Sequence, residues 1–105
     1  MLIKPTVGRK VWFRPNRPKD SPLIIDNKVV QQFTAEPLDA TVLCTWGDRC
    51  VNLLVVDHAG AVHAPRSVTM RQEGDPEPVG HYCEWMPYQA GQAAKAAAES
   101  TDKAA

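Results

Sequence analysis

Cysteine and histidine are the residue types in this chain that can hold a metal ion or act as a nucleophile. The sequence has three of each, which gives enough ligand types for a tetrahedral zinc site. Their spacing does not favour one, because there is no Cys-x-x-Cys pair. His81 and Cys83 lie two residues apart, on one face of a predicted strand, and are placed to share an ion. We nevertheless predict no metal site and no cofactor. The six residues are Cys44, Cys50, Cys83, His58, His63 and His81.

The sequence shows no arrangement that is typical of an enzyme. It lacks a Gly-x-Ser-x-Gly nucleophile motif. Its six glycines are scattered singly and form no phosphate-binding loop. Asp57 and His58 are adjacent, but they fall in a predicted turn, where an aspartate more often caps the turn than orients an imidazole. We therefore predict that the protein is not an enzyme.

The N-terminal segment carries a charge pattern that favours nucleic acid. Residues 1–20 hold six basic residues and one acidic residue, a net charge of +5, although the whole chain is neutral. An exposed tryptophan among them can stack on a base while the basic side chains contact phosphates. The overall neutrality counts against a dedicated nucleic-acid binder, and basic residues on an edge strand also discourage aggregation. Single-stranded nucleic-acid binding is thus the alternative function. Its predicted site is Lys10, Trp12, Arg14, Arg17 and Lys19.

Aromatic residues in the middle and the last part of the chain are of the types that anchor protein interfaces. Closure of a hydrophobic core is their other common use. A small domain without a catalytic set works most often by binding, so we rank a protein partner first. Self-association stays open as an alternative, and no membrane partner is expected. The predicted interface residues are Trp46, Tyr82, Trp85 and Tyr88.

Short apolar runs separated by turn residues predict an all-β fold. Val11 and Phe13 share one face of a first strand over residues 7–14, and Trp12 shares the other with Lys10 and Arg14. Two β-rich runs over residues 40–56 flank Gly47-Asp48, which predicts a two-residue hairpin turn with glycine at positive φ. The register of that hairpin follows by counting from the turn. The predicted core-face pairs are Trp46 with Arg49, Cys44 with Val51, Val42 with Leu53, and Ala40 with Val55.

The remaining strands follow from turns and prolines. A type I turn over residues 57–60 leads to a strand that breaks at Pro65 and resumes over residues 67–70. Residues 81–86 alternate as a last strand. Residues 15–37 leave two alternatives, a short hairpin turning at Asp26-Asn27 or a long loop that packs apolar side chains on the core. The bracketing prolines favour the loop.

About five short antiparallel strands at close spacing predict a small SH3-like half-open barrel over residues 4–88. Residues 89–105 are rich in alanine and have no large apolar side chain, which predicts a disordered tail. No apolar run reaches the length of a membrane helix, and residues 1–5 do not begin a secretory signal. Three cysteines, an odd number, favour reduced thiols, so we expect a cytoplasmic protein.

Three stretches of the sequence combine turn residues with core positions. They cover residues 8–15, residues 37–60 with short gaps, and residues 82–95. The first is Gly-Arg-Lys-Val-Trp-Phe-Arg-Pro, and Tyr-Cys-Glu-Trp-Met-Pro-Tyr begins the third. Together they resemble small uncharacterised proteins encoded by bacteriophages and prophages. The resemblance implies a phage-related accessory protein in a bacterial host cell, either in the virion or in the infected cell, and it implies no activity or site.

Overall fold

The computed structural model describes residues 2–16, residues 21–88 and Lys95. Within residues 2–16 and 21–86 every regular element is a strand. The predicted tail over residues 89–105 lies outside the described residues, apart from Lys95. The strands are β1 Lys10–Arg14, β2 Ile24–Ile25, β3 Lys28–Val29, β4 Leu38–Gly47, β5 Cys50–Val56, β6 Val62–His63, β7 Val68–Arg71 and β8 Tyr82–Trp85.

Five of these strands close into a barrel. β1 pairs with β4 on one side and with β8 on the other, and β4 pairs with β5. β5 then pairs with β7, and β7 with β8, which completes the circle. The predicted small all-β barrel is confirmed, and it is closed. One pair departs from the antiparallel expectation, because β7 and β8 run parallel. The loop over residues 72–81 carries the chain back along the barrel between them, as a parallel pair requires.

The period of two along each strand places one face inside the barrel. Val11 and Phe13 of β1 have no exposed surface, while Trp12 lies on the outer face with Lys10 and Arg14, as predicted. The other strands contribute apolar side chains at the same alternation. The core is Val11, Phe13, Ile25, Val30, Leu38, Ala40, Val42, Val51, Leu53, Val55, Val68, Met70 and Cys83.

The β4–β5 hairpin departs from the predicted register near its turn. Val42 pairs with Leu53 as predicted, and so does Ala40 with Val55. The register then shifts at Leu43 and again at Trp46, so the other two predicted pairs were wrong. Each shift is a β-bulge, which bends and twists the strand as a small barrel requires.

The shifted register also corrects the turn of this hairpin. Cys44 pairs with Asn52, and Gly47 pairs with Cys50. The two turn residues are therefore Asp48 and Arg49. The predicted Gly47-Asp48 turn was wrong by one residue, because two bulges absorb residues that a regular ladder would have paired.

Within residues 15–37 a hairpin forms, and the preference for a loop was wrong there. Ile24 pairs with Val29, and Ile25 pairs with Lys28. Asp26 and Asn27 have φ values of 51° and 66°, the two positive values that a type I′ turn requires. The flanking prolines lie outside this four-residue ladder and do not interrupt it. Ile25 and the following Val30 still reach the core, as the loop alternative had proposed.

A buried glutamine ties the N-terminal segment to the barrel. The side chain of Gln72 donates hydrogen bonds to the carbonyl oxygens of Ile3 and Asp48, both at 2.8 Å. Its Oε1 accepts from the Ile3 backbone N–H at 3.2 Å and from the Trp85 indole N–H at 3.3 Å. All of its polar atoms are thus satisfied, which is what burial of an amide requires. Among the described residues, no helix is long and apolar enough to cross a membrane.

Candidate binding surface

The outer face of the sheet brings residues of five strands into one row. Trp12 of β1 lies between Glu84 of β8 and Asp39 of β4. Asp39 pairs with Val56 of β5, and Val56 pairs with Val62 of β6. One end of this row is therefore the Trp12 ring between two carboxylates, and the other end is the apolar pair of Val56 and Val62.

We call the apolar part of this surface the β4–β5 face. It consists of Leu43, Trp46, Leu54, Val56 and Val62. Trp46 is 66% exposed, and Leu43, Leu54 and Val62 are each between 36% and 48% exposed. A contiguous exposed apolar area of this kind marks an interaction site more often than scattered apolar residues do.

The strand register places these side chains side by side. Leu54 is opposite Thr41, so it is diagonal to Leu43, within reach of a long side chain. The indole N–H of Trp46 donates to Oδ1 of Asn52 at 3.0 Å, which ties its ring to β5 two residues from Leu54. The β4–β5 face is therefore held by backbone pairing and by one side-chain hydrogen bond.

Two ion pairs border the β4–β5 face, and no charged side chain belongs to it. On the β1 side, Lys10 Nζ lies 2.8 Å from Asp39 Oδ2. At the hairpin turn, Arg49 donates two hydrogen bonds to Asp75, at 2.9 and 3.1 Å. An apolar centre with a charged rim is the usual layout of a protein–protein interface.

The four residues predicted for a protein interface do not form one surface. Tyr82 is 2% exposed, because it is covered on the outer face, where it pairs with Arg14 and its hydroxyl donates to Glu77 Oε1 at 3.5 Å. Trp85 is half-buried and donates to Gln72, whereas Tyr88 is 72% exposed after the last strand. Of the four, Trp46 alone belongs to the β4–β5 face. Sequence reasoning missed its partners Leu43, Leu54 and Val62, although the first two fall on the hairpin face opposite to the predicted core-face pairs.

The residues predicted to bind nucleic acid are placed in two groups. Lys10, Trp12 and Arg14 share the outer face of β1 as predicted, whereas Arg17 and Lys19 lie outside the described residues. Both described basic residues are held by carboxylates. Lys10 binds Asp39, and Arg14 Nε lies 2.9 Å from Glu84 Oε2. Acidic groups therefore flank Trp12 on both sides.

A cleft of about 460 Å³ opens beside Trp12. Its floor is the outer face of β1, β4 and β5, and its wall is formed by residues 36–37 and 57–58. The lining residues are Trp12, Arg14, Glu36, Pro37, Asp39, Val56, Asp57 and His58.

A second cleft, of about 550 Å³, lies beside Trp85 on the other flank of β8. Its buried polar group is Gln72, whose donors and acceptor are all taken within the protein. Arg71 on its rim donates to the carbonyl oxygen of Asp75 at 3.2 Å. The cleft thus presents no buried polar group that is aimed at a ligand.

Under the wall of the Trp12 cleft lies a buried carboxylate–imidazole pair that sequence reasoning missed. Asp57 Oδ2 lies 2.8 Å from His63 Nε2, and neither side chain has any exposed surface. The Asp57 carboxylate also accepts backbone N–H groups from Gln31, Ala59 and Ala61. Burial raises the pKa of Asp57, but the hydrogen bonds from His63 and from these amides outweigh it and lower the pKa to about 2.

The cysteines and the remaining histidines are dispersed. Cys83 is in the core, where burial raises the pKa of its thiol to about 12 and its sulfur lies 3.4 Å from that of Met70. Cys44 and Cys50 are half-buried free thiols. The His81 ring packs against Phe13 at 5.6 Å, and burial lowers its pKa. Across the part of the chain that the structure describes, no three metal-ligating side chains converge.

The fold defines the class of this protein as a small all-β protein built on a closed, mixed barrel of five strands. No protein-family model, no curated protein and no solved structure matches the chain. Its function is therefore inferred from the surface itself.

Proposed function

We propose that the protein is a non-enzymatic binding module that docks a protein partner on the β4–β5 face. The observation that carries this proposal is the exposed apolar group of Leu43, Trp46, Leu54 and Val62, on the β4–β5 hairpin and the adjoining β6, between two ion pairs. Tryptophan is among the residues that contribute most to binding when an interface buries them. The partner is a different protein that presents an uncharged apolar surface, because this face offers no charge to match.

The burial of the Asp57–His63 pair supports a role without catalysis. A carboxylate that orients an imidazole is a common part of hydrolytic sites. Here both side chains are fully enclosed, so a substrate cannot reach the imidazole. The carboxylate instead accepts three backbone N–H groups, which is a structural task.

The same proposal places the module in the cytoplasm of a bacterial host cell, as a phage-related accessory protein. Three free thiols, one of them enclosed in the core, fit a reducing compartment. The resemblance of residues 8–15 and 82–95 to small phage and prophage proteins supports the accessory role.

Nucleic-acid binding through β1 has less support. Phosphate binding needs basic side chains that are free to replace counterions. Lys10 and Arg14 already bind Asp39 and Glu84, and those carboxylates would repel a phosphate beside Trp12.

The proposal can be tested by site-specific photo-crosslinking in the native host cells. A benzophenone amino acid at position 54 of the full chain should crosslink to one predominant protein, because that position is at the centre of the β4–β5 face. The matched control carries the same group at position 79, where Val79 is fully exposed on the loop before β8. Adducts are identified by mass spectrometry.

Substitution of a neighbouring residue supplies the second control. Leu43→Glu places a charge within the face and should remove the position-54 adduct, whereas Val7→Glu, an exposed apolar position outside the face, should leave it. Equal adducts at positions 54 and 79 would contradict the proposal. An adduct with a second copy of this chain would show that the β4–β5 face mediates self-association and does not bind a different protein.

A further inference from the structure

The cleft beside Trp12 is a second feature of the outer face, and the β4–β5 face does not account for it. The two adjoin at Val56, which lines the cleft and pairs with Val62. The cleft differs in chemistry, because an aromatic ring and several carboxylates surround it.

The charges around the cleft do not balance. Among the described residues, two basic side chains, Lys10 and Arg14, stand among three carboxylates, those of Glu36, Asp39 and Glu84. The Asp57 carboxylate does not count, because it is enclosed beneath the wall and bonded to His63. His58 Nδ1 accepts the Phe33 backbone N–H at 2.9 Å, so this nitrogen carries no proton. The resulting net charge of −1 favours a cationic occupant.

Glu36 is the carboxylate that is available to a ligand. Its backbone N–H and carbonyl are bound within the loop, to Thr34 Oγ1 and Gln32 Nε2. Its carboxylate, on the cleft rim, has no hydrogen-bond or ion-pair partner among the described residues. Asp39 forms an ion pair with Lys10, but both side chains are about half exposed. Such a pair is weak, so a competing cation can displace Lys10 from Asp39.

Trp12 supplies the apolar surface on which a cation can stack. Its ring lies half-buried between Asp39 and Glu84, and its indole N–H has no acceptor within residues 2–16 or 21–88. The indole N–H groups of Trp46 and Trp85 are both hydrogen-bonded to protein oxygens. A planar guanidinium can stack on an indole and also hydrogen-bond a carboxylate, which a lysine ammonium does less well.

We propose that the Trp12 cleft binds an arginine side chain of a protein segment, with the guanidinium stacked on Trp12 and hydrogen-bonded to Glu36 and Asp39. The Trp12 indole N–H then donates to a backbone carbonyl of the same segment. This site extends the proposed function to a second contact on the same side of the barrel, and it does not require a partner on the β4–β5 face.

The test is an amide and indole NMR titration of the full chain. The probe is an acetylated and amidated decapeptide with three arginines among alanine and glycine residues. Its matched control has citrulline at each arginine, which keeps the shape and removes the charge. We expect the arginine peptide to shift the Trp12 indole signal and the amides of residues 36–39, while the Trp46 and Trp85 indole signals stay in place.

Variants then assign the contacts. The double change Glu36→Gln and Asp39→Asn should weaken peptide binding about tenfold and remove most of its salt dependence. Trp12→Leu should weaken it by a similar factor. Asp26→Asn, an exposed carboxylate in the β2–β3 turn, should have no effect. The amide spectrum of each variant shows directly that the barrel is folded.

Three results would overturn this inference. Equal binding of the citrulline peptide would show that charge plays no part. Shifts at Trp46 with a static Trp12 would move the peptide to the β4–β5 face, which leaves the proposed function intact. Shifts of the Trp12 indole with a single-stranded oligonucleotide, and none with the arginine peptide, would assign the cleft to nucleic acid.

Discussion

At the scale of single residues, Asp57 joins three segments of the chain through one carboxylate. It binds the turn after β5 through Ala59 and Ala61, the loop before β4 through Gln31, and β6 through His63. The turn-capping role of Asp57 was predicted, because an aspartate commonly caps a turn that a glycine closes. The other two contacts were not predictable, because they exist only once β6 and residues 31–33 have folded against the turn.

We expect Asp57→Asn to lower the free energy of unfolding by about 3 kcal/mol at neutral pH, because it removes the charge from a buried carboxylate that accepts hydrogen bonds from His63 and three backbone amides. The folded-state pKa of about 2 lies below the ordinary value of 3.8. The stabilisation is therefore complete above pH ~4 and declines as the pH falls towards 2. Urea unfolding of both proteins at a series of pH values measures the difference.

Asp75 must be controlled in this experiment, because the hydrogen bonds from Arg49 and from the Gln72 backbone also lower the Asp75 pKa to about 2. Asp75 is unchanged in both proteins, so its contribution cancels in their difference. A difference in unfolding free energy that stays constant between pH 4 and pH 2 would show that the Asp57 carboxylate does not act through its ionised form.

At the scale of elements, two glycines, one within a tight turn and one at the strand end before a turn, have different tasks. Gly60 closes the turn after β5 with a φ of 88°, and its N–H donates to the Asp57 carbonyl at 3.0 Å. Gly47 ends β4, and its φ is not in the positive range. An added Cβ meets no atom within 4 Å at either position, so backbone conformation is the difference between them.

We therefore expect Gly60→Ala to destabilise the protein by about 1 kcal/mol, because an L-residue with a side chain disfavours that conformation. Gly47→Ala should change stability by less than about 0.5 kcal/mol. Thermal and urea unfolding of the two variants provide the comparison. A larger loss at Gly47 would mean that this glycine carries a constraint of its own.

The β4–β5 hairpin shows how far pattern reasoning extends within an element. Alternation of apolar residues located both strands and paired Val42 with Leu53 correctly. It did not locate the bulges at Leu43 and Trp46, because apolar residues occupy both faces there and either register buries some of them. Barrel closure decides between the registers. The bulges place Trp46, which the predicted register assigned to the core face, on the outer face beside Leu43. The β4–β5 face therefore could not be fully predicted, because the bulges that shape it are not encoded in the local sequence.

At the scale of the whole molecule, β1 is the strand that completes the closed barrel. It has a hydrogen-bonded neighbour on each side, whereas among the described strands β2 and β3 pair only with each other. The fold class was predicted from strand count and spacing. The parallel β7–β8 pair was not, because strand count does not specify which edges meet when a sheet closes.

This difference in connectivity predicts a difference in hydrogen exchange. The amides of Val11 and Phe13 should exchange only through global unfolding, because their strand cannot leave the barrel alone. The amides of Ile25 and Lys28, the hydrogen-bonded pair beside the turn, should exchange at least about tenfold faster through local opening of their hairpin. Native-state exchange followed by NMR resolves both sets. Equal opening free energies would mean that the β2–β3 hairpin and the barrel unfold as one unit.

The position of the two terminal strands has a consequence for chain connectivity. The Ile3 N–H and the Trp85 indole N–H donate to the same Gln72 oxygen, and Val11 pairs with Trp85. The chain therefore enters and leaves the barrel at one point on its circumference. A circular permutant that links these ends and opens at the Asp48-Arg49 turn would keep every strand neighbour. The fold is thus defined by the cyclic order of the strands around the barrel and not by their linear order along the chain.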